Sequence, residues 1–163
     1  MDSADRAGRV RRKGPTLSLQ ARALKLLAGR EYSRAELAMK LASRAESRAA
    51  LEAVLDELVR RNLLSDARYA DARSRQLARK FGPARIQHEL RSKGLDHETV
   101  ERSVGAAKIG ALDNARAVWA KRFGRAPTDA LAKARQMRFL QMRGFSFDII
   151  RAVVPGVGAD LDE

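Results

Sequence analysis

Residues Leu90–Val100, which read LRSKGLDHETV, recur fifty positions later as Leu140–Ile150, which read LQMRGFSFDII. Each segment places a leucine four residues before a glycine, a base directly before that glycine and a large apolar residue directly after it. Because glycine adopts the left-handed conformation at low cost, Gly94 and Gly144 are predicted to end a helix in both copies. The two copies indicate a chain built by repetition, in which a single active site is not the expected source of function.

The residues after each glycine predict the start of a further helix. Asp96 and Ser146 are residue types that accept backbone N–H groups at helix N-termini. Leu95 and Phe145 precede these caps, where each can pack on a β-branched residue one turn into the new helix. Each copy is therefore a helix–turn–helix corner.

The same arrangement of cap and apolar residue occurs earlier in the chain. Ser33 and Glu36 have the spacing of a capping box, and Tyr32 stands where it can pack on Leu37. In the next copy Phe81, Gly82 and Pro83 follow the same plan 49 residues later, because glycine serves as the cap and proline suits the first helical position. Ser65 is the predicted cap of the helix that opens that copy.

These offsets predict an all-α protein of three tandem three-helix repeats, about nine helices in total, with modules that resemble helix–turn–helix units. Since modules this small bury little apolar surface, they must pack on their neighbours, and an elongated rod, straight or curved, is expected. The predicted divisions are a disordered basic arm (1–16), repeat 1 (17–64), repeat 2 (65–107), repeat 3 (108–154) and an acidic tail (155–163).

The composition favours a basic helical protein of thin cores. Of 163 residues, 29 are alanine and eight are aromatic, which suits helix–helix packing better than one deep core. Lys and Arg total 33 against 20 acids, a net charge of +13. Such a field attracts nucleic acid or an acidic protein surface, although arginine can also serve only to keep an alanine-rich surface soluble.

Catalytic, metal and cofactor sites are not predicted. Cysteine is absent, and the two histidines, His88 and His97, are separated by a glycine corner without metal-ligand spacing. No phosphate-binding glycine loop follows a strand pattern, and no apolar run is long enough for a membrane span. We expect a cytoplasmic protein that is not an enzyme and has no membrane contact.

Four segments resemble the signature segments of the RecX family, which are bacterial regulators of the RecA recombinase. They are Arg30–Leu37 (REYSRAEL), Leu63–Ala70 (LLSDARYA), Gly82–Gly94 (GPARIQHELRSKG) and Arg138–Ser146 (RFLQMRGFS). The resemblance implies a fold of three repeats of three helices. It also implies a regulator, most often an inhibitor, that lies along the groove of the RecA–DNA filament and blocks strand exchange or promotes disassembly. The implied partners are the RecA filament and, secondarily, single- and double-stranded DNA, and a monomer is expected.

Bases that recur near the module corners are the candidate partner- and DNA-binding residues. They are Arg34, Arg68, Arg85, Arg91, Lys93 and Arg143. The alternative interpretation of each is a solvated helix face. Lys93 and Arg143 have a second alternative interpretation, because a positive charge in the last turn of a helix is stabilised by the helix dipole.

A helix–turn–helix protein that binds DNA without RecA is the main alternative function. Such a reader needs one helix that offers polar side chains to base edges, and Ala84–His88 is the one short run of that kind. A pure interaction scaffold of solenoid type is a third possibility.

Overall fold

The structure is a computed structural model that describes residues 17–160. The predicted basic arm (1–16) and residues 161–163 of the predicted tail lie outside this range. The described chain forms nine α-helices and one turn of 3-10 helix over Ala42–Arg44, without a strand. The helices are α1 (Leu19–Gly29), α2 (Arg34–Leu41), α3 (Arg48–Arg60), α4 (Asp66–Ala78), α5 (Pro83–Ser92), α6 (His97–Ile109), α7 (Ala111–Arg122), α8 (Ala130–Met142) and α9 (Phe147–Val153).

The helices form three successive triplets, each with its own apolar core, which confirms the predicted fold class. Leu37 and Leu55 are fully buried in the core of α1–α3, and Leu90 is fully buried in that of α4–α6. The core of α7–α9 contains Leu140 and Trp119. α6 continues to Ile109, past the division predicted after residue 107. The exact repeat boundaries stay predictions.

Most predicted caps have the expected local geometry. The side chains of Ser33, Ser65, Asp96 and Ser146 each accept a hydrogen bond from the backbone N–H three residues later. Gly82 takes the cap position of α5, with proline at the first helical position. Gly94 and Gly144 have φ angles of +74° and +90°, the left-handed conformation that ends α5 and α8.

Three local features differ from the sequence-based expectation. Glu36 makes its main contact with the Arg30 guanidinium, at 2.8 Å, and not with the cap residue Ser33. The helical spacing of apolar residues predicts the third helix over 45–61, whereas α3 begins after Ser47, whose side chain caps it. The 3-10 turn over Ala42–Arg44 precedes this start. Phe81 is only half-buried and lies outside the apolar core of its triplet, since its ring is covered by arginine side chains.

The second and third triplets meet through their backbones. The Gly82 N–H donates to the Arg143 carbonyl at 2.7 Å, and the Ala84 N–H donates to the Gly144 carbonyl at 3.2 Å. These are N–H groups at the start of α5 and carbonyls at the end of α8, which no partner within their own helices can satisfy. The contact therefore satisfies both helix ends and brings the negative end of one dipole to the positive end of the other.

The first and second triplets meet at equivalent positions with different chemistry. The Ser33 hydroxyl donates to the Lys93 carbonyl at the end of α5, at 3.1 Å. The Asp66 carboxylate accepts from the Arg34 N–H at the start of α2, at 2.7 Å. In the next junction the first residue of the middle helix is Pro83, which has no N–H, so no carboxylate is needed there.

The junctions join neighbours only, within the part of the chain that the structure describes. Every hydrogen bond and ion pair between triplets connects the first with the second or the second with the third. The middle helices of the three triplets are α2, α5 and α8. The C-terminal end of α8 meets the N-terminal end of α5, and the C-terminal end of α5 meets the N-terminal end of α2. The result is an elongated rod, as predicted.

Replacement of Gly144 by alanine is expected to lower the free energy of unfolding. A β-carbon there would lie 2.6 Å from the Arg85 backbone nitrogen, in a backbone conformation that alanine disfavours. We expect a loss of about 2–4 kcal/mol, the sum of the left-handed conformation and the overpacking. Urea unfolding followed by circular dichroism measures it.

Gly105→Ala is the matched control, because Gly105 lies inside α6 and an added β-carbon would meet nothing within 4 Å. This variant should be more stable than the parent by about 0.5–1 kcal/mol, since alanine favours a helix interior. Unfolding midpoints that shift equally for both variants would contradict the proposed role of the junction.

Candidate functional site

Three of the six predicted binding residues form salt bridges within the chain, and the contacts of Arg34 and Arg68 are the short ones. Arg34 contacts the carboxylates of Glu52 and Asp56 at 2.6 and 2.7 Å. These contacts, Glu52 first, raise the pKa of Arg34. Arg68 donates to Glu31 across the first junction at 2.9 Å and to the Asn62 side chain at 2.8 Å. Both guanidinium groups therefore have a structural explanation.

Arg91 and Lys93 lie at the end of α5, near acidic side chains. Arg91 has an exposed, longer contact of 3.6 Å with Glu101. Lys93 lies at a charged cavity of about 330 Å³ beside the first junction. The hydrogen bond from Arg30 is the main cause that lowers the pKa of Glu36, and the charge of Lys93 adds to it. The Lys93 carbonyl is the group that accepts from Ser33. The location of Lys93 is thus explained mainly by the junction.

Arg85 and Arg143 are different, because they lie against aromatic rings and form no salt bridge with a carboxylate in residues 17–160. The Arg85 and Arg143 guanidinium carbons each lie 5.3 Å from the centroid of the Phe81 ring. Arg143 also lies 5.0 Å from the centroid of Phe139. Its Nη1 donates to the Lys80 carbonyl at 3.3 Å.

Arg122 extends this arrangement into the third triplet. Its guanidinium carbon lies 5.8 Å from the Phe139 centroid and 5.6 Å from the Phe123 centroid. Phe123 and Phe139 pack edge to face, with centroids 5.3 Å apart and ring planes at 88°. We call this alternating set of Arg85, Arg122, Arg143, Phe81, Phe123 and Phe139 the arginine–phenylalanine surface.

The second junction creates this surface. Phe81 immediately precedes the cap of α5, Arg143 is the C-cap of α8, and the backbone bonds at Gly82 and Gly144 bring these two helix ends together. Sequence reasoning selected Arg85 and Arg143 and missed Arg122. The sequence does carry a signal for Arg122. The Phe-Gly pair at Phe81 recurs at Phe123, and a base, Lys80 or Arg122, precedes the phenylalanine in each copy.

The arginine–phenylalanine surface is suited to binding anions. Within residues 17–160, no carboxylate forms a salt bridge with Arg85, Arg122 or Arg143. A guanidinium held against a ring keeps N–H donors for a phosphate or carboxylate, and the ring limits the entropy lost on binding. Three such groups in one surface match a polyanion better than a single small ion.

The described residues contain no arrangement suited to metal binding. No group of three or more histidine or acidic side chains is placed to hold an ion. In the same range, no helix has the length and apolar character needed to cross a membrane.

Three helical triplets joined end to end, with a basic surface at a junction, define a helical-repeat protein. Family models match two of the triplets: "RecX, second three-helix domain" over residues 65–103 and "RecX, third three-helix domain" over residues 111–154. With relatives that match over most of its length, the chain belongs to the RecX family of regulatory proteins.

Two of these relatives carry the name "Regulatory protein RecX". That of Leptothrix cholodnii is 50% identical over 140 residues, which cover 86% of this chain and 89% of the relative. That of Chromobacterium violaceum is 46% identical over 145 residues, 89% of this chain and 93% of the relative.

Solved structures share the fold at low identity. The crystal structure of RecX from Lactobacillus salivarius superimposes with a TM-score of 0.71 at 22% identity, over 83% of this chain and 91% of that one. A second crystal structure of regulatory protein RecX gives a TM-score of 0.69 at 20% identity, over 83% of this chain and 72% of that one.

The contact between Glu36 and Arg30 near the first junction predicts a pH dependence of stability. Hydrogen bonding to the Arg30 guanidinium is the main cause that holds the pKa of Glu36 below its ordinary value of 4.5. Because the folded-state pKa is the lower one, the stabilisation is fully present above pH 4.5 and is lost as the pH falls through the folded-state pKa. The Glu36→Gln variant should therefore be less stable than the parent at pH 7, and the difference should shrink in acid.

Unfolding midpoints from pH 7 down to acid measure this difference. Glu46→Gln is the control, because Glu46 is exposed and has no salt bridge to another described residue. Its stability should stay close to that of the parent across the range. A Glu36→Gln difference that grows in acid would contradict the assignment.

Proposed function

We propose that this protein is a regulator of the RecA recombinase, and in the first instance an inhibitor. It binds along the groove of the RecA–DNA filament and blocks strand exchange or promotes filament disassembly. Membership of the RecX family supports the regulatory role, since relatives that match most of the chain are named regulatory proteins. The protein acts by occupying a surface, without catalysis or a cofactor.

The arginine–phenylalanine surface is the observation that carries this proposal. Its three guanidinium groups lie at or beside the second junction and form no salt bridge with a carboxylate among the described residues, so they remain able to bind phosphates or acidic side chains. A filament presents the same surface at regular intervals. Three modules at fixed spacing can contact successive units, and linked weak contacts gain through effective concentration.

The partners follow from the same proposal. RecA is the main one, and single- and double-stranded DNA are secondary ones that the arginine–phenylalanine surface contacts through phosphates. The protein works as a monomer in the cytoplasm, where RecA and DNA are found. Arg34, Arg68, Arg91 and Lys93 remain weaker candidates for these contacts, because the chain supplies acidic neighbours for each of them.

The helix–turn–helix alternative receives less support from the geometry. In that class the N-terminal residues of the recognition helix reach the base edges. Here the start of α5 lies against the backbone of Gly144, and Ile86 is buried. The Gln87 side chain donates to Glu101 at 2.8 Å and is thus engaged within the repeat.

Titration of the protein into RecA strand-exchange and ATPase assays tests the main proposal. Substoichiometric amounts should reduce both activities, because one rod bound in the groove affects several RecA units. An unchanged rate over the whole titration would overturn the proposed function.

The triple variant Arg85→Ala, Arg122→Ala, Arg143→Ala should bind single-stranded DNA more weakly and with a smaller salt dependence. Loss of three phosphate contacts is expected to lower the slope of log affinity against log salt by about 2. Fluorescence anisotropy at several salt concentrations measures this slope, and circular dichroism confirms that the variant is folded.

Arg48→Ala, Arg75→Ala, Arg102→Ala is the matched control. These three residues are exposed and lie outside the arginine–phenylalanine surface, and the net charge changes by the same amount. Equal loss of slope in both triple variants would show that total charge, and not this surface, governs the binding.

An electrophoretic mobility-shift series on duplex DNA distinguishes the helix–turn–helix alternative from the filament regulator. Weak binding without preference among unrelated duplexes is the expected result. Tight, sequence-dependent binding in the absence of RecA would favour the helix–turn–helix reader over the filament regulator.

A further inference from the structure

The first triplet carries a second basic surface, separate from the arginine–phenylalanine surface. A groove of about 590 Å³ runs between α1 and the end of α2. Its floor is apolar and includes Leu17, Leu26, Tyr32 and Leu41. We call this feature the first-repeat groove. Leu17 is 49% exposed, so part of the apolar floor is open to solvent.

Four cations form the rim of the first-repeat groove. Arg22 and Lys25 come from α1, whereas Lys40 and Arg44 come from the end of α2 and the 3-10 turn. No aspartate or glutamate lines the groove, and none among residues 17–160 forms a salt bridge with these four side chains. The rim therefore carries four positive charges with no described acidic partner, in contrast to Arg30, which Glu36 neutralises.

The lining favours a peptide over a nucleic acid. Base recognition by single-strand binders uses exposed aromatic rings on which bases stack. Tyr32 is the one aromatic residue of this lining, and it is 6% exposed with the Arg30 guanidinium carbon 3.7 Å from its ring centroid. The accessible floor is aliphatic and suits a leucine-like side chain, as in grooves that bind amphipathic segments.

The segment that precedes the groove in this chain is not a suitable occupant. Residues 1–14 contain five bases and two acids, a net charge of +3, which the rim would repel. The charge of the rim calls for an acidic segment, and the floor calls for an apolar side chain within that segment.

We propose that the first-repeat groove binds an acidic peptide segment of a partner protein, with one apolar side chain of that segment placed on the leucine floor. The rim cations contact carboxylates on both sides of this side chain. The arrangement gives a rapid, salt-dependent encounter from the charges and a preference for one register from the apolar contact. It is independent of the RecA proposal, because it concerns a different repeat and is measured without RecA.

A fluorescein-labelled peptide of eight glutamates with a central leucine is the probe, and anisotropy is the readout. The full-length protein should bind it, and a peptide with serine in place of leucine should bind several-fold more weakly. The Lys25→Glu, Lys40→Glu variant should lose about tenfold or more in affinity, because two rim attractions become repulsions.

Lys121→Glu, Lys133→Glu is the matched control, with the same change of net charge in the third triplet. It should bind the peptide as the parent does, and circular dichroism should show both variants folded. Equal losses in the two variants, or equal affinity for the leucine and serine peptides, would reduce the binding to general charge attraction and overturn the proposal.

Two competitors, an oligothymidylate and a short peptide of this chain, test for other occupants. Neither should displace the probe at the concentrations at which an unlabelled copy of the probe displaces it. A labelled oligothymidylate that loses affinity in the Lys25, Lys40 variant and displaces the peptide would make the groove a nucleic-acid site. The second competitor is a synthetic peptide of residues 159–163, which read ADLDE. If it displaces the probe more strongly than the unlabelled probe does, the occupant is a second copy of this chain. Either result would overturn the assignment to a partner protein.

Discussion

The contact between the end of one middle helix and the start of the preceding one is the constraint on which the rest of the structure depends. At the second junction it is made by backbone atoms, with the Gly82 N–H donating to the Arg143 carbonyl at 2.7 Å. A β-carbon at Gly82 would lie 2.4 Å from the Gly144 carbonyl oxygen, so the two backbone segments touch as closely as glycine allows. Because three small cores cannot hold a rod together by themselves, these end-to-end contacts set its shape.

Positive charge is distributed unevenly along this rod, and that distribution gives the molecule its functional surfaces. At the first junction, Arg30 and Arg68 are neutralised by carboxylates and serve to join or stabilise repeats. At the second junction, Arg85 and Arg143 stand over aromatic rings and keep their charge available. The two junctions thus differ in how their arginines are paired, which total charge cannot reveal.

Local features could be predicted from the sequence, and features that depend on distant partners could not. Gly94, Gly144 and the caps act through backbone groups within three or four residues, so their patterns are visible in a short window. The partners of Arg34 lie 18 and 22 residues away, and the partner of Arg68 lies 37 residues away, across a junction. The arginine–phenylalanine surface needs three helix ends in one place, and only the fold provides that arrangement.

Contact between backbones has a further consequence for how the rod can vary among related chains. The hydrogen bond from the Gly82 nitrogen to the Arg143 carbonyl joins backbone atoms, which every sequence has. Other side chains can then be exchanged without altering this second junction, provided that residues 82 and 144 carry no β-carbon. At this junction hydrogen bonds between backbone atoms join the repeats, and the arginine and phenylalanine side chains around it are not needed for that contact.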